Sequence, residues 1–306
     1  MTTSTARVPA KINLALAVGP RRDDGYHDVA TVFQTLDLHD EVRATARPDG
    51  QITVRVHADV DEQVEHADVP TGDDNLAVRA ARRLAEVAGV ETGVDLVIRK
   101  VIPVAGGMAG GSADAAATLV ACNAVWKLGL GRDVLDSVAA DLGSDVPFLL
   151  HGGTAVGTGR GERISPALAR GSYRWVVATA AEGLSTPDVY AELDRLNAHR
   201  EVPDPQVSED VLTALRSGSP AELGTMLTND LQKAAISLRP ELRDTLDVGL
   251  GAGALGGIVS GSGPTCVFLV HDEQHGLDVS FALASSLTCA DVVQARGPVP
   301  GARLLS

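Results

Sequence analysis

The sequence predicts an α+β protein of two lobes that share a core, and three observations carry that expectation. Residues 8–56 read as mainly antiparallel strands. Residues 94–128 read as a strand, a glycine-rich loop and a long helix, and the second half supplies helices followed by paired strands. At 306 residues the chain also exceeds the usual size of one domain.

Residues 8–18 alternate Ala10, Ile12, Leu14, Leu16 and Val18 with Lys11 and Asn13, the period of a half-buried strand, so Lys11 and Asn13 share one face. Gly19 and Pro20 should stop it, with a polar loop over 21–27 before strands at 29–38, 41–46 and 52–56. Asp73 or Asp74 is expected to cap a helix over 75–88, in which Leu76, Ala80, Leu84 and Val87 keep helical spacing and Gly89 ends the run. A strand over 94–102 is stopped by Pro103, and the loop after it opens into an alanine-rich helix over 112–128. A helix over 134–142, a turn over 143–148 and strands at 153–157 and 174–180 follow. The second half reads as helices at 187–198, 208–216, 220–227 and 240–250, strands at 256–260 and 265–270, a helix reaching 287 and a strand over 290–295. The lobe boundary is expected within 161–173, dividing the chain into residues 1–165 and 166–306.

Hydrophobic residues make up 44% of the chain and charged residues 22%, an ordinary balance for a packed core. A formal charge of −14 opposes binding to nucleic acid, and no basic run interleaved with aromatics is present. No apolar stretch is long enough to cross a bilayer and the first residues lack the layout of a signal peptide, so the expected location is the cytoplasm. Cys122, Cys266 and Cys289 are widely spaced and read as small core residues. His271 and His275 have ligand-like spacing without a third ligand, and read as part of a solvated loop; no metal site is expected.

The run Pro103-Val104-Ala105-Gly106-Gly107-Met108-Ala109-Gly110-Gly111-Ser112 stands between a strand and a helix. A helix N-terminus offers unpaired N–H groups and the positive end of its dipole, and glycines let backbone close around an anion. The run therefore suits a nucleotide's phosphates. No Lys-Ser or Lys-Thr follows the last glycine, which disfavours a P-loop ATPase. Gly251, Gly253 and Gly256 match a dinucleotide spacing, but they follow a helix and precede a strand, the reverse of what a pyrophosphate site needs.

Three segments together, Pro9-Ala10-Lys11-Ile12-Asn13-Leu14, residues 106–112, and Ser260-Gly261-Ser262-Gly263-Pro264-Thr265, resemble the signature motifs of the GHMP kinase superfamily in their usual order. The resemblance spans essentially the whole chain. It implies an N-terminal lobe resembling the second domain of ribosomal protein S5, a ferredoxin-like C-terminal α/β sandwich, and an active-site cleft between them. Asp24-Gly25-Tyr26-His27, Phe33-Gln34 and residues 142–148 are similar to the branch that phosphorylates the 2-hydroxyl of a cytidine-diphosphate-linked methylerythritol in non-mevalonate isoprenoid synthesis.

By that resemblance Asp145 is the catalytic base and Lys11 stabilises charge on the reacting hydroxyl, in keeping with the little that phosphoryl transfer demands beyond positioning and charge stabilisation. Residues 103–113, ending at Ala113, form the ATP loop, with magnesium arriving on ATP. Met108, Ala109 and Ala113 depart from a common Gly-Leu-Gly-Gly-Gly-Ser-Ser form. Tyr26 in its polar loop suits stacking on a base and His27 suits reading a cytosine edge, with Tyr190, after Thr186, as the second aromatic. Asn13 suits holding the substrate hydroxyl or Lys11, or satisfying a strand edge. Asp145 also suits capping a turn, Gly261, Ser262 and Gly263 a tight hairpin or the substrate side of the cleft, and Asn229 a helix cap. The partners implied are ATP and a small-molecule substrate, acting on a monomer or homodimer. The competing readings are a GHMP kinase for another alcohol, such as mevalonate or homoserine, and a non-catalytic ligand-binding module; Tyr26 with His27 weighs against the first, and Lys11 with Asp145 against the second.

Overall fold

The computed structural model describes residues 2–58, 69–104 and 106–305, so Ala105 of the glycine-rich run lies outside the described residues. β1 (Thr3–Arg21) and β2 (His27–Arg47) form a long antiparallel ribbon. Gly19 and Pro20 do not stop β1. The register shifts between Val18 and Arg21, which spares Pro20 a ladder hydrogen bond, while Gly19 lies under Pro205, whose Cδ would be 2.7 Å from an added Cβ. β2 is one strand where two were expected, because Asp37 and Leu38 are left without cross-strand partners between the Pro9–His39 and Ala10–Leu36 pairs and are accommodated as an irregularity. Residues 8–16 are buried on both faces, so β1 is a central strand where the alternation suggested a half-buried one.

β3 (Ile52–Ala58), α1 (Leu76–Ala88) and β4 (Gly93–Lys100) make a parallel crossover. Asn75, not Asp73 or Asp74, caps α1, accepting from the Ala77 amide at 2.8 Å, and Gly89 ends the helix with φ 65°. β4 stops before 102 because Asp40 Oδ1 takes the amides of Val101 and Ile102 at 2.6 and 2.9 Å. α2 (Gly110–Val125) starts two residues earlier than expected, and α3 (Arg132–Leu142) follows. α4 (Val146–His151) replaces part of the expected turn; Pro147 sits in its first turn, where a missing N–H costs nothing. β5 (Thr154–Thr158) and β6 (Arg163–Pro166) close the first half.

The second half runs β7 (Tyr173–Thr179), α5 (Thr186–Asn197), α6 (Glu209–Ser217), α7 (Pro220–Thr225), β8 (Thr228–Asn229), α8 (Gln232–Leu238), α9 (Glu241–Gly251), β9 (Gly256–Val259), β10 (Cys266–Val270), α10 (Glu273–Ser286), β11 (Asp291–Gly297) and β12 (Arg303–Leu304). The described strands make two sheets. The eight-stranded one has the order β12-β1-β2-β4-β3, with β5 on β2, β6 on β5 and β8 on β1. The other, β11-β7-β10-β9, is antiparallel, and its order places the fourth, first, third and second of its own four strands side by side, the ferredoxin-like arrangement. α9 ends at Gly251 and β9 begins at Gly256, so the second glycine match is a helix-to-strand connector. His271 and His275 flank the start of α10, where Asp272 caps the helix by accepting from the His275 amide at 2.9 Å. That segment is exposed and partly helical, not a plain loop. Cys122 and Cys266 are buried and Cys289 half-buried, all free thiols. Among the described residues no helix is long and apolar enough to cross a membrane.

Beneath the start of α2 lies a buried ionic cluster. Lys100 Nζ donates to Asp40 Oδ2 at 2.5 Å and to Asp114 Oδ2 at 3.0 Å. Burial is the main force raising the Asp114 carboxyl well above its ordinary value; Lys100 opposes it and Asp40 adds to it. Removing the cation should leave the buried Asp40 carboxylate uncompensated beside the Asp114 carboxyl, so Lys100→Met is expected to lose about 3–5 kcal/mol in urea unfolding. A carboxyl raised in the folded state holds a proton that the unfolded chain has released, so its contribution falls as pH rises from about 4 towards its folded titration. The stability of Asp114→Asn relative to the parent protein should therefore increase between pH 5 and pH 8, read from urea midpoints at both values.

Candidate active site

A cleft of about 860 Å³ is lined by both halves of the chain: Lys11 and Asn13 of β1, Tyr26 and His27, the glycine-rich loop, Asp145, α5, and Gly261 with Ser262. Its size is that of a small-molecule site.

The loop reaches α2 through two left-handed residues, Gly107 at φ 74° and Ala109 at φ 59°. Left-handed backbone at a non-glycine residue such as Ala109 costs roughly 1–2 kcal/mol. No side chain caps α2, so the first-turn amides of Gly110, Gly111 and Ser112 remain available where these residues line the cleft. That end of the cleft suits an anion. Gly106, Gly107 and Ala109 also line it, whereas Pro103, Val104, Met108 and Ala113 do not. Met108 and Ala113 are fully buried in the core, and the Met108 carbonyl accepts from the Lys11 amide at 3.3 Å, tying the loop to β1.

Gly107 is where the loop meets the turn between β9 and β10. An added Cβ would lie 2.1 Å from the Ser260 carbonyl oxygen, and Ser260 Oγ donates to the Gly107 carbonyl at 3.1 Å. The turn is tight, with Gly261 and Gly263 at φ 55° and 78° and a cis Gly263–Pro264 bond. Gly263 does not line the cleft; its amide donates to the Ser260 carbonyl at 2.8 Å and shapes the turn. Asn229 binds the same turn, donating through Nδ2 to the carbonyls of Val259 and Gly261 at 2.8 and 2.7 Å while its Oδ1 accepts from the Leu231 amide at 2.9 Å. It is thus both a local cap and a clamp.

Lys11 is buried and its ammonium donates to Asn13 Oδ1 at 2.7 Å, while Asn13 Nδ2 donates to Thr31 Oγ1 at 2.7 Å and Thr31 donates on to the Ala15 carbonyl. Asn13 therefore holds Lys11. The ammonium lies 5.3 Å above the Phe33 ring, which stacks on Phe148 with centroids 4.9 Å apart. Asp145 occupies the N-cap position of α4 but makes no capping bond; its Oδ2 faces Lys11 Nζ at 3.7 Å. This is beyond direct hydrogen bonding, so the carboxylate keeps lone pairs for another donor.

The far end of the cleft is aromatic. Tyr26 is 56% exposed, with the Arg160 guanidinium 5.1 Å from its ring centroid. His27 is buried, and its ring lies 5.1 Å from that of Tyr190. Burial, with the charge of Asp145 adding, pushes the Tyr190 hydroxyl up to about 12, so it stays protonated across the neutral range. Thr186 Oγ1 and Ser262 Oγ are 2.8 Å apart and join α5 to the glycine turn. The residue that sequence reasoning missed is Asp194, which lines the cleft and pairs with His27 Nε2 at 2.8 Å. Thr186, Tyr190 and Asp194 recur every four residues, which puts all three on one helix face, and that spacing was the available signal.

An uncapped helix start, a lysine–aspartate pair and an aromatic end within one cleft fit a small-molecule kinase, and the sequence comparisons agree. Residues 75–153 match the GHMP kinases N terminal domain and residues 211–288 the GHMP kinases C terminal domain. A relative from Nocardia farcinica named 4-diphosphocytidyl-2-C-methyl-D-erythritol kinase is 54% identical over 302 residues, 98% of this chain and 95% of its own. One of the same name from Thermobifida fusca is 52% identical over 307 residues, 99% of both chains. A crystal structure of 4-(cytidine 5'-diphospho)-2C-methyl-D-erythritol kinase superposes with a TM-score of 0.73 at 32% identity, covering 96% of this chain and 99% of that one. The fold alone is shared with a mevalonate kinase from L. major, TM-score 0.75 at 14% identity, over 96% and 95% of the two chains. The chain is a GHMP kinase, and within that group it belongs to the 4-diphosphocytidyl-2-C-methyl-D-erythritol kinase family.

The Gly107 contact yields a paired prediction. Gly129, at φ 63° with nothing within 4 Å of an added Cβ, shares the backbone demand of Gly107 without the collision. Gly129→Ala should cost about 1–2 kcal/mol. Gly107→Ala should cost about 2–5 kcal/mol, with clash added to strain, and should also weaken nucleotide binding in a calorimetric titration.

Proposed function

We propose that this chain transfers the γ-phosphoryl group of ATP to the 2-hydroxyl of 4-diphosphocytidyl-2-C-methyl-D-erythritol, giving the 2-phosphate and ADP in the non-mevalonate route to isoprenoid precursors. The observation that carries the reading is the Lys11–Asp145 pair, 3.7 Å apart, in the same cleft as the uncapped start of α2. ATP phosphates bind the amides of residues 110–112, where orphan N–H groups and the helix dipole both favour negative charge. Asp145 accepts the proton of the 2-hydroxyl as its oxygen attacks the γ-phosphorus, and the bond to the β-phosphate oxygen breaks. Lys11, oriented by Asn13, stabilises the negative charge that develops on the attacking oxygen. The cytosine lies between Tyr26 and Tyr190 beside His27, which orients the methylerythritol end towards Asp145.

The described residues contain no cluster of three or more carboxylate, imidazole or thiolate groups suited to caging a metal. Magnesium is assigned to the phosphates of ATP, with which it arrives and whose charge it neutralises. The lobes are assigned to residues 1–165 and 166–306, the first carrying the ATP loop and the reacting pair and the second α5 and the glycine turn, with β8 and β12 returning to the first lobe's sheet. The reaction is assigned to the cytoplasm, where ATP is supplied.

Asp145→Asn should lower kcat by about 10²–10⁴-fold, as removal of a general base does, with the KM for ATP retained in a coupled ADP-release assay. Parent-like turnover in that variant would remove Asp145 as the base. In the same assay the cytidyl substrate should support turnover, while free methylerythritol phosphate, mevalonate and homoserine should not.

A further inference from the structure

Asp194 stands one helical turn beyond Tyr190 on α5, and both meet the same imidazole. Asp194 Oδ1 lies 2.8 Å from His27 Nε2, and its Oδ2 lies 3.9 Å from Arg21 Nε. The His27 side chain is only 5% exposed, flanked by the Tyr190 ring, so its orientation is fixed by packing as well as by the carboxylate. An ionised carboxylate is an acceptor only, so in a neutral imidazole this contact places the proton on Nε2 and leaves Nδ1 with a bare lone pair. Nδ1 has no hydrogen-bond partner among the described residues, and His27 lines the cleft.

We propose that Asp194 is a positioning residue that fixes His27 as the Nε2–H tautomer, so that Nδ1 accepts from the exocyclic amine of cytosine and the cleft rejects uracil. At that position uracil carries a carbonyl oxygen, which sets acceptor against acceptor with no proton between them. The inference rests on the reading above that the base lies beside Tyr26, His27 and Tyr190. It adds to that reading the group that selects the pyrimidine.

The test compares kcat/KM for the cytidyl substrate and its uridyl counterpart, alongside long-range ¹⁵N–¹H spectra of the histidine-labelled protein at pH 7.5. The parent protein should prefer cytidyl by at least about 100-fold, the scale on which a site built to pair a polar group rejects its mismatch. Its His27 ring should carry its single proton on Nε2. In Asp194→Asn the side-chain amide can donate to the ring and stabilise the other tautomer. The preference should then fall at least about tenfold, mainly through a higher KM for the cytidyl substrate, and the ring proton should move to Nδ1. A parent ring protonated on Nδ1 would overturn the assignment, as would an unchanged preference in a folded Asp194→Asn protein. The parent spectrum needs no variant and decides the tautomer even where the variant is unstable. His27→Ala separates the two layers: a large rise in the cytidyl KM supports the placement of the base, whereas an unchanged KM overturns that placement and the inference with it.

Discussion

The contact between Gly107 and the backbone of the β9–β10 turn sets the geometry on which the rest of the site depends. The loop and the turn approach so closely that no side chain fits between them, and the Ser260 hydroxyl bridges what space is left. The loop is also the start of α2, so this one contact fixes the amide-bearing helix end against the second sheet. α5 joins the same turn through Thr186 and Ser262, and Asn229 clamps it from β8. The span from the anion end to the aromatic end is thus held by backbone packing and short polar side chains, which have little rotamer freedom to lose or to exploit.

Two buried lysines show how partners decide roles. Lys100 is clamped between two carboxylates at 2.5 and 3.0 Å, with Asp40 also holding the end of β4, so its charge is consumed by structure. Lys11 donates to a neutral amide, and its carboxylate neighbour stands at 3.7 Å. Neutral support orients the ammonium without quenching it, and distance leaves Asp145 free to accept. The two clusters are linked through the loop: an added Cβ at Gly110 would press on Lys100 Nζ at 3.0 Å, and the Met108 carbonyl anchors the loop to the Lys11 amide of β1.

Most of this was legible in the sequence where a periodic pattern or a strong punctuator existed. The long helices, the paired strands of the second sheet and the strand–loop–helix order around Gly106 to Ser112 all follow from such signals. The failures have physical causes. Asp40 ends β4 from sixty positions away, so no local residue marks the stop. The two-residue strands β8 and β12 are too short to carry a period, and Gly19 with Pro20 passes as strand because a register shift absorbs both. Within the site, Lys11 and Asp145 stood out through their motifs. Met108 and Ala113 belonged to the same stretch yet are fully buried, Met108 between two left-handed residues and Ala113 on the inner face of α2. Asp194 was hidden because its meaning depends on His27, which is 167 positions away.

β1 has a further consequence through its neighbours. It pairs with β2 at once, but its other edge is completed by β12, where Arg7 meets Arg303, and by β8, where Leu16 meets Asn229. A ribosome making this chain delivers the first ribbon early and the strands that seal it much later. Until residues 303–304 emerge, one edge of the central strand of the larger sheet is open, and an open edge is a template for pairing with other chains. Completion of the larger sheet therefore waits on residues 303–304, and Lys11 on β1 acquires its finished surroundings only then.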